Sequence, residues 1–351
     1  GRHNKVNCIS IEEKLGIHGS PTCVMEYDGS VGYLIGEENM GLNYMFTTIN
    51  EARIRAGGHG LACTSGALQG ASQYARDRVQ GRPVGMTKEE AKDSSIIDHA
   101  DVRRTLMTIK SYLDAMRYMN YDNHLMLDLE YFAEGELKDF GKERCGILTP
   151  ITKAWISDLS VELTSMAIQV YGGMGYVEET GIAQYFRDAR IAPIYAGTNG
   201  IQAEDLVFRK ITLNDGKAVE SLLKEMRTNI SSMKEHENLE PLSEILERHV
   251  AEIEEATQYL LIELSKGNLA GVSASGTPYL KMFGQVLGGH YMGKAAVTAT
   301  KNLLEDNAGF YNDKITLSKF YIEQLLPLAS SYFSSVMLGK ENLYSIDSNS
   351  F

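Results

Sequence analysis

Five short stretches carry the side chains with chemistry to offer. Pro193–Gln202 reads "PIYAGTNGIQ", a turn of small residues ahead of a helical pattern from Ala203 to Lys210, which Thr198 or Asn199 can cap. A Gly-Thr turn at a helix start can present one functional side chain, yet Ala196 presents a methyl group. Gln169–Tyr176, "QVYGGMGY", follows a helix with Gly172, Gly173 and Gly175, where backbone can approach a flat or charged ligand closely. A plain C-cap turn explains the same residues. Tyr74–Arg82, "YARDRVQGR", ends a helix on Arg78, a cation for a phosphate or a surface charge that complements the helix dipole. Asn50–Gly60, "NEARIRAGGHG", is poor helix material, since each glycine costs about 1 kcal/mol relative to alanine. Close helix packing and room for a ligand are both open there. Arg187–Arg190, "RDAR", reads as an ion-paired face. There is no GxSxG, P-loop or HExxH. The eight histidines show no ligand spacing, and His59 reads as a packed or surface residue.

The elements that must position these residues are mostly helical. Residues 4–36 alternate β-rich runs ("VNCISI", "TCVMEY", "GYLIG") with turn residues, which predicts strands. From Gly41 the period becomes helical through Leu42, Met45, Phe46, Ile49, Leu61, Leu68 and Tyr74. Residues 80–98 read as a loop and 101–132 as a long helix. The polar stretch "EGELKDFGKER" separates that helix from another near 151–171, which Gly172 and Gly173 stop. A helix over 203–211 breaks at Asp215-Gly216. Amphipathic pattern follows over 217–264, a linker over 267–278, and helices over 279–305 and 315–338. The Ser/Asn-rich tail from 345 reads as disordered.

The 351 residues suffice for two or three domains and a sizeable core. The formal net charge of −12 argues against a nucleic-acid backbone as the main partner, because phosphate tracts need a concentrated basic surface. No apolar run reaches membrane-spanning length. Cys8, Cys23, Cys63 and Cys145 are scattered along the sequence without metal spacing, as reduced thiols of a cytoplasmic protein would be. The opening residues read as the middle of a β-rich domain, so a preceding N-terminal part is expected.

These stretches, with "LGIHGSPTCVMEYDG…YLIGEENMGL" before them and the last two joined in "FRDARIAPIYAGTNGIQ", stand in an order and spacing that resemble the acyl-CoA dehydrogenases. The match covers roughly residues 8–210. The helical region beyond looks like the extension of the long bacterial subfamily, which includes 3-methylmercaptopropionyl-CoA dehydrogenases and fatty acyl-CoA dehydrogenases. The resemblance implies a mostly α fold. Residues 1–38 would close a middle β domain, 39–211 would form a four-helix bundle, 212–344 a helical extension and 345–351 a tail. It implies FAD as cofactor, an acyl-CoA substrate, an electron-transferring flavoprotein as electron acceptor, and a homo-oligomer, dimer or dimer of dimers.

By motif position, Arg78 would contact the FAD pyrophosphate across the dimer interface. Gln169, Gly172 and Gly173 would lie along FAD, and Thr198 would face it. Arg53 would stand near the acyl-CoA phosphates, with Asn50 replacing a common aspartate. Tyr195 and Gly197 would flank the substrate. Gly200 replaces a glutamine of many members, which removes one FAD contact from the implication. The reaction takes the α-proton to a base and the β-hydride to the flavin. Many members place the base, a glutamate, where this chain has Ala196. Others place it on the helix of Arg53, at the position of Ala52; neighbouring Glu51 is turned about 100° away. Neither position holds a carboxylate. Deliberate replacement of the glutamate at 196 is the preferred reading. A non-catalytic acyl-CoA- or FAD-binding subunit of a hetero-oligomer, and a medium- or long-chain enzyme with its base elsewhere, are the alternatives.

Overall fold

The computed structural model describes residues 3–303 and 308–351; readings that touch residues 1, 2 and 304–307 lie outside the described residues. Strands β1 (Val6–Ile11) and β2 (Cys23–Tyr27) pair antiparallel as a hairpin, Val6 opposite Tyr27 and Ile11 opposite Cys23. The expected third strand, "GYLIG", does not form among the described residues. It has no neighbouring strand to pair with, and Tyr33 and Ile35 stand 90% and 91% exposed. The hairpin brings together two thiols that the sequence keeps apart: a hydrogen bond with Cys8 is the first cause that raises the Cys23 thiol pKa. In the connection between the two strands, the Ile17 N–H donates to Asp188 Oδ1 at 2.6 Å and ties this segment to the helices.

The helices are α1 (Gly41–Asp77), α2 (Ala100–Phe132), α3 (Gly135–Tyr171), α4 (Ile182–Ala189), α5 (Asn199–Asp205), α6 (Lys217–Lys234), α7 (Glu240–Ser265), α8 (Leu269–Lys301), α9 (Ala308–Phe320) and α10 (Leu328–Leu338). The long helix expected over 101–132 is α2. Two expectations are corrected. The stretch "EGELKDFGKER" is the start of α3. Gly141 lets that turn lie against α2, where a Cβ would stand 2.9 Å from the Met126 carbonyl oxygen, while Glu136, Lys138, Asp139 and Lys142 are exposed and Arg144 is buried against Glu225. The small residues over 267–278 are a packing surface of α8. Asn268 caps the helix, a Cβ on Gly276 would reach 3.5 Å from the Ala203 carbonyl oxygen on α5, and the buried Ser275 hydroxyl donates to Val336 O at 2.8 Å. Compositional cues for a linker and for tight helix contact are the same residues, and burial separates them.

One continuous apolar cluster runs from Ile54 on α1 to Val336 on α10. Trp155 on α3 sits against Gly284 on α8, and the Tyr112 ring makes edge contacts with Trp155 and Tyr321. The helices beyond residue 211 therefore share a core with α1–α3.

The glycines of "AGGHG" resolve toward packing. Cβ atoms on Gly57 and Gly60 would stand 3.1 Å from the Thr152 side chain and 2.9 Å from Ser160 Oγ, both on α3, whereas one on Gly58 would meet only Asn120 at 3.8 Å. Gly60→Val is therefore expected to destabilise by about 1–3 kcal/mol through overpacking. Gly58→Ala should stabilise by up to about 1 kcal/mol through helix propensity. Scanning calorimetry of the two variants should move the transition in opposite directions; equal shifts would contradict the packing assignment.

Candidate active site

Nine residues lead from α4 into α5, and hydrogen bonds close them into a fixed turn. The Tyr195 N–H donates to Ile191 O and the Asn199 N–H to Pro193 O, each at 3.1 Å. Between these bonds the chain reverses through two left-handed residues, Ala196 at φ +55° and Gly197 at φ +84°. Gly197 is required by conformation and by space, since a Cβ would stand 2.9 Å from Gln202 Nε2. Alanine gains nothing from the left-handed conformation, which costs a non-glycine residue roughly 1–2 kcal/mol. The closure of the turn imposes it. Thr198 is the N-cap: its Oγ1 accepts from the Ile201 N–H at 3.4 Å, and that cap does not use the hydroxyl proton.

Three contacts back this turn. Arg53, with a side chain only 9% exposed, pairs with Asp205 at 3.3 Å and donates to Asn50 Oδ1 at 3.4 Å. Its Nη2 lies 3.7 Å from where a Gly197 Cβ would be. Burial lowers the Arg53 pKa and the neighbouring Asp205 opposes that. Lys153 on α3 is fully buried, and its Nζ donates to Asn199 Oδ1 at 2.7 Å. Half-buried His59 on α1 places Nδ1 3.1 Å from the Tyr195 hydroxyl, with the two rings edge to face. Burial holds the His59 pKa below its ordinary value against the pull of Asp188.

Asn50 and Arg53 border a cavity of about 740 Å³, together with Glu130, Lys142, Asp205 and Lys210. Arg53 was expected to face phosphates there. In the structure Arg53 shares the Asp205 carboxylate with Arg209, which binds its other oxygen at 2.6 Å, and Lys142 and Lys210 are further cations of this cavity.

The remaining expected residues gather at the far end of the helices. Tyr74 near the end of α1 stacks on Tyr171, the last residue of α3, with ring centroids 4.2 Å apart. This brings Arg78 to the same end as Gln169, Gly172 and Gly173. Arg78 is exposed and donates to Gln80 Oε1 at 3.1 Å. A Cβ on Gly172 or Gly173 would meet nothing within 4 Å, so their backbone is open to close approach. An open glycine backbone at the same end of the helices as an exposed guanidinium is compatible with a pyrophosphate between them. Lys153 lies eighteen residues before Tyr171 on α3, about 27 Å along the axis. The structure thus forms two groups, Arg78 with Gln169, Gly172 and Gly173, and Asn50 and Arg53 with the Tyr195–Thr198 turn.

Sequence reasoning passed over Lys153 and Asp205, gave Asn199 only as a possible helix cap, and did not see that His59 meets Tyr195. Lys153 had a signal: it is the one charged residue in "ILTPITKAWIS", otherwise an apolar run with small polar residues. Burial is the first cause that pushes its pKa from 10.5 down to about 8, with Arg53 adding to the shift and Asp158 opposing it. Between those two values the unfolded chain holds a proton that the folded chain has released, so stability should rise with pH across that window. Below pH 8 the cost of the buried charge is present in full. Wild-type protein should therefore gain thermal stability relative to Lys153→Met between pH 7.5 and 10, a range chosen to span about 8. A pH-independent difference between the two would contradict a buried, titrating ammonium.

Two family models match, "Acyl-CoA dehydrogenase, C-terminal domain" over residues 39–210 and "Acetyl-CoA dehydrogenase C-terminal like" over residues 222–347. The chain belongs to the acyl-CoA dehydrogenase family. It is 36% identical over 338 residues to 3-methylmercaptopropionyl-CoA dehydrogenase of Ruegeria pomeroyi, a match covering 95% of this chain and 57% of that protein. It is 30% identical over 356 residues to a butyryl-CoA dehydrogenase of Syntrophomonas wolfei, covering 93% of this chain and 55% of the relative. The fold matches Caenorhabditis elegans ACDH-11 in complex with C11-CoA at a TM-score of 0.78 and 18% identity, over 98% of this chain and 55% of that one. It also matches an acyl-CoA dehydrogenase complexed with FAD from Bacillus anthracis at a TM-score of 0.72 and 18% identity, over 95% and 56%. The chain spans about half the length of the curated relatives it matches. No helix among the described residues is long and apolar enough to cross a membrane.

Proposed function

We propose that the full-length protein is an FAD-dependent acyl-CoA dehydrogenase with alanine at the position of its base, so that it binds an acyl-CoA thioester without oxidising it. The observation that carries this reading is the Pro193–Asn199 turn, closed at both ends and backed by Arg53 and Lys153, with residue 196 held at φ +55° and only a methyl group displayed. Such a turn fixes one side chain and one backbone N–H. Removal of a thioester α-proton needs a carboxylate held against it in a dry pocket. Ala196 retains the N–H that would hold the thioester carbonyl and lacks the proton acceptor.

FAD, when bound, supplies the acceptor for the β-hydride. Arg78, Gln169, Gly172 and Gly173 would hold its pyrophosphate and adenosine ends, and the Thr198 hydroxyl would donate to it. Asn50, Tyr195 and Gly197 would border the acyl-CoA. A short thioester such as 3-methylmercaptopropionyl-CoA is the favoured substrate, on the 36% identity to the Ruegeria pomeroyi enzyme. An electron-transferring flavoprotein as acceptor, a homo-oligomer and a cytoplasmic location complete the reading. So does the division into a β-domain end (1–38), a bundle (39–211), an extension (212–344) and a tail (345–351).

Titration of the full-length, FAD-loaded protein with 3-methylmercaptopropionyl-CoA and butyryl-CoA tests it. The expected result is a saturable perturbation of the oxidised flavin spectrum without bleaching. No saturable change with either thioester would contradict the proposal.

A further inference from the structure

We infer that Lys153 is a positioning residue for the active-site turn: by holding the Asn199 side chain against α3 it fixes the backbone N–H of residue 196 and the direction of that residue's side chain. The inference rests on the reading of this turn as the place where the substrate reacts.

Asn199 has two tasks. Its backbone N–H closes the turn on Pro193 O at 3.1 Å. Its side chain is bolted to α3 at both ends. Oδ1 accepts from Lys153 Nζ at 2.7 Å and from the Ser157 hydroxyl at 3.3 Å. Nδ2 donates to Asp158 Oδ1 at 2.6 Å and to the Ala154 carbonyl at 3.2 Å, and lies 3.0 Å from Ser157 Oγ. Lys153 is what orients the amide, because a three-proton donor on Oδ1 forces Nδ2 toward Asp158. With the amide reversed, its NH₂ would face the ammonium and its oxygen would face a carboxylate.

The lysine is a costly way to pack α3. It is fully buried, and its own charge meets like charge from Arg53 on α1, offset by Asp158 on its own helix. Methionine, of similar length, would bury the same stem without an ion to desolvate. A residue that strains the core and ends on the turn acts on the turn.

The test uses the full-length, FAD-loaded protein, with alanine at 196 and with Ala196→Glu, each carrying Lys153→Met, Asn199→Ala or both. The first readout is hydrogen exchange of the peptide spanning residues 193–202, which does not depend on turnover. Lys153→Met should accelerate its exchange at least tenfold while peptides from the centre of α3 exchange as before. The second readout is turnover in the Ala196→Glu background. There kcat should fall roughly 10- to 100-fold with KM and flavin content within threefold, as misplacement of a catalytic group by about 1 Å does. Lys153→Met and Asn199→Ala combined should lose no more than either alone, because both break one connection. Unchanged exchange in Lys153→Met overturns the inference. So does faster exchange with kcat within threefold, and so do additive losses in the double variant. If Lys153→Met does not fold, Asn199→Ala leaves the lysine in place and must show both effects alone, or the inference fails. An Ala196→Glu parent that binds acyl-CoA without turnover refutes the reading of residue 196 instead, and exchange then decides the role of Lys153.

Discussion

Ala196→Glu in the full-length, FAD-loaded protein should turn a thioester-binding protein into a dehydrogenase. General-base catalysis contributes typically 10²–10⁴-fold, and the contrast should lie at the upper end where no water substitutes in a closed site. The turn needs no rebuilding. Ala196 already stands at φ +55°, so a second non-glycine residue adds no new backbone strain. The hydrogen bonds that close the turn belong to Tyr195 and Asn199, and the substitution leaves them in place. Acyl-CoA affinity should change little, because the N–H of residue 196 is common to both forms. Anaerobic mixing with several acyl-CoAs, followed by flavin bleaching, measures the effect. Ala196→Gln, which matches glutamate in shape and accepts no proton at neutral pH, should remain as inactive as the alanine protein. Turnover by the glutamine variant would mean that the added volume, and not the proton acceptor, matters.

Arg78→Ala should weaken FAD retention roughly ten- to a hundredfold. A hydrogen bond to a charged group contributes about 1.5–3 kcal/mol, and the proposed pyrophosphate contact is of that kind. The variant separates binding from folding because Arg78 is exposed at the C-cap of α1 and, among the described residues, its side chain donates to the nearby Gln80. The melting temperature of flavin-free protein should therefore stay within a degree or two, since a surface substitution of this kind changes stability by about 0.5 kcal/mol at most. Arg78→Lys, a cation without the planar fork, should fall between wild type and alanine. Flavin content equal to wild type in Arg78→Ala would return this arginine to the role of a surface charge on the helix dipole.

What could be read from residues alone was the punctuation of the long helices. Gly172 stops α3 at φ +59°, Thr198 caps α5, and Asn214, Asp215 and Gly216 break the chain with positive φ values before α6. These are local events, decided by one or two residues each. The errors fell where tertiary packing decides. The small residues 267–278 resemble a linker by composition, but Ser275 and Gly276 are the surface against which α10 and α5 lie. The polar start of α3 looked like a loop because its side chains are mostly polar and exposed, while Gly141 lies against α2 without a side chain to show it. At the site, the motif residues were legible because their types are unusual in sequence. Their backing was not. Lys153 and Asn199 are forty-six residues apart, and Arg53 and Asp205 are separated by 152. No pattern within a helix reveals that these side chains meet. The left-handed backbone of Ala196 was hidden for the same reason, since alanine does not advertise a positive φ.

The central claim is that residue 196 is where the substrate loses its α-proton, and proton exchange tests it without hydride transfer. A 3-thia-acyl-CoA carries sulfur in place of the β-carbon, so it can give up an α-proton but has no β-hydride to lose. Full-length, FAD-loaded protein would be incubated with it in deuterated water, and α-deuterium in the recovered thioester counted by mass spectrometry. The account predicts exchange by Ala196→Glu at least a hundredfold above that of the alanine protein, with both forms binding the ligand. Equal exchange by the two forms would contradict it and place the base at another residue.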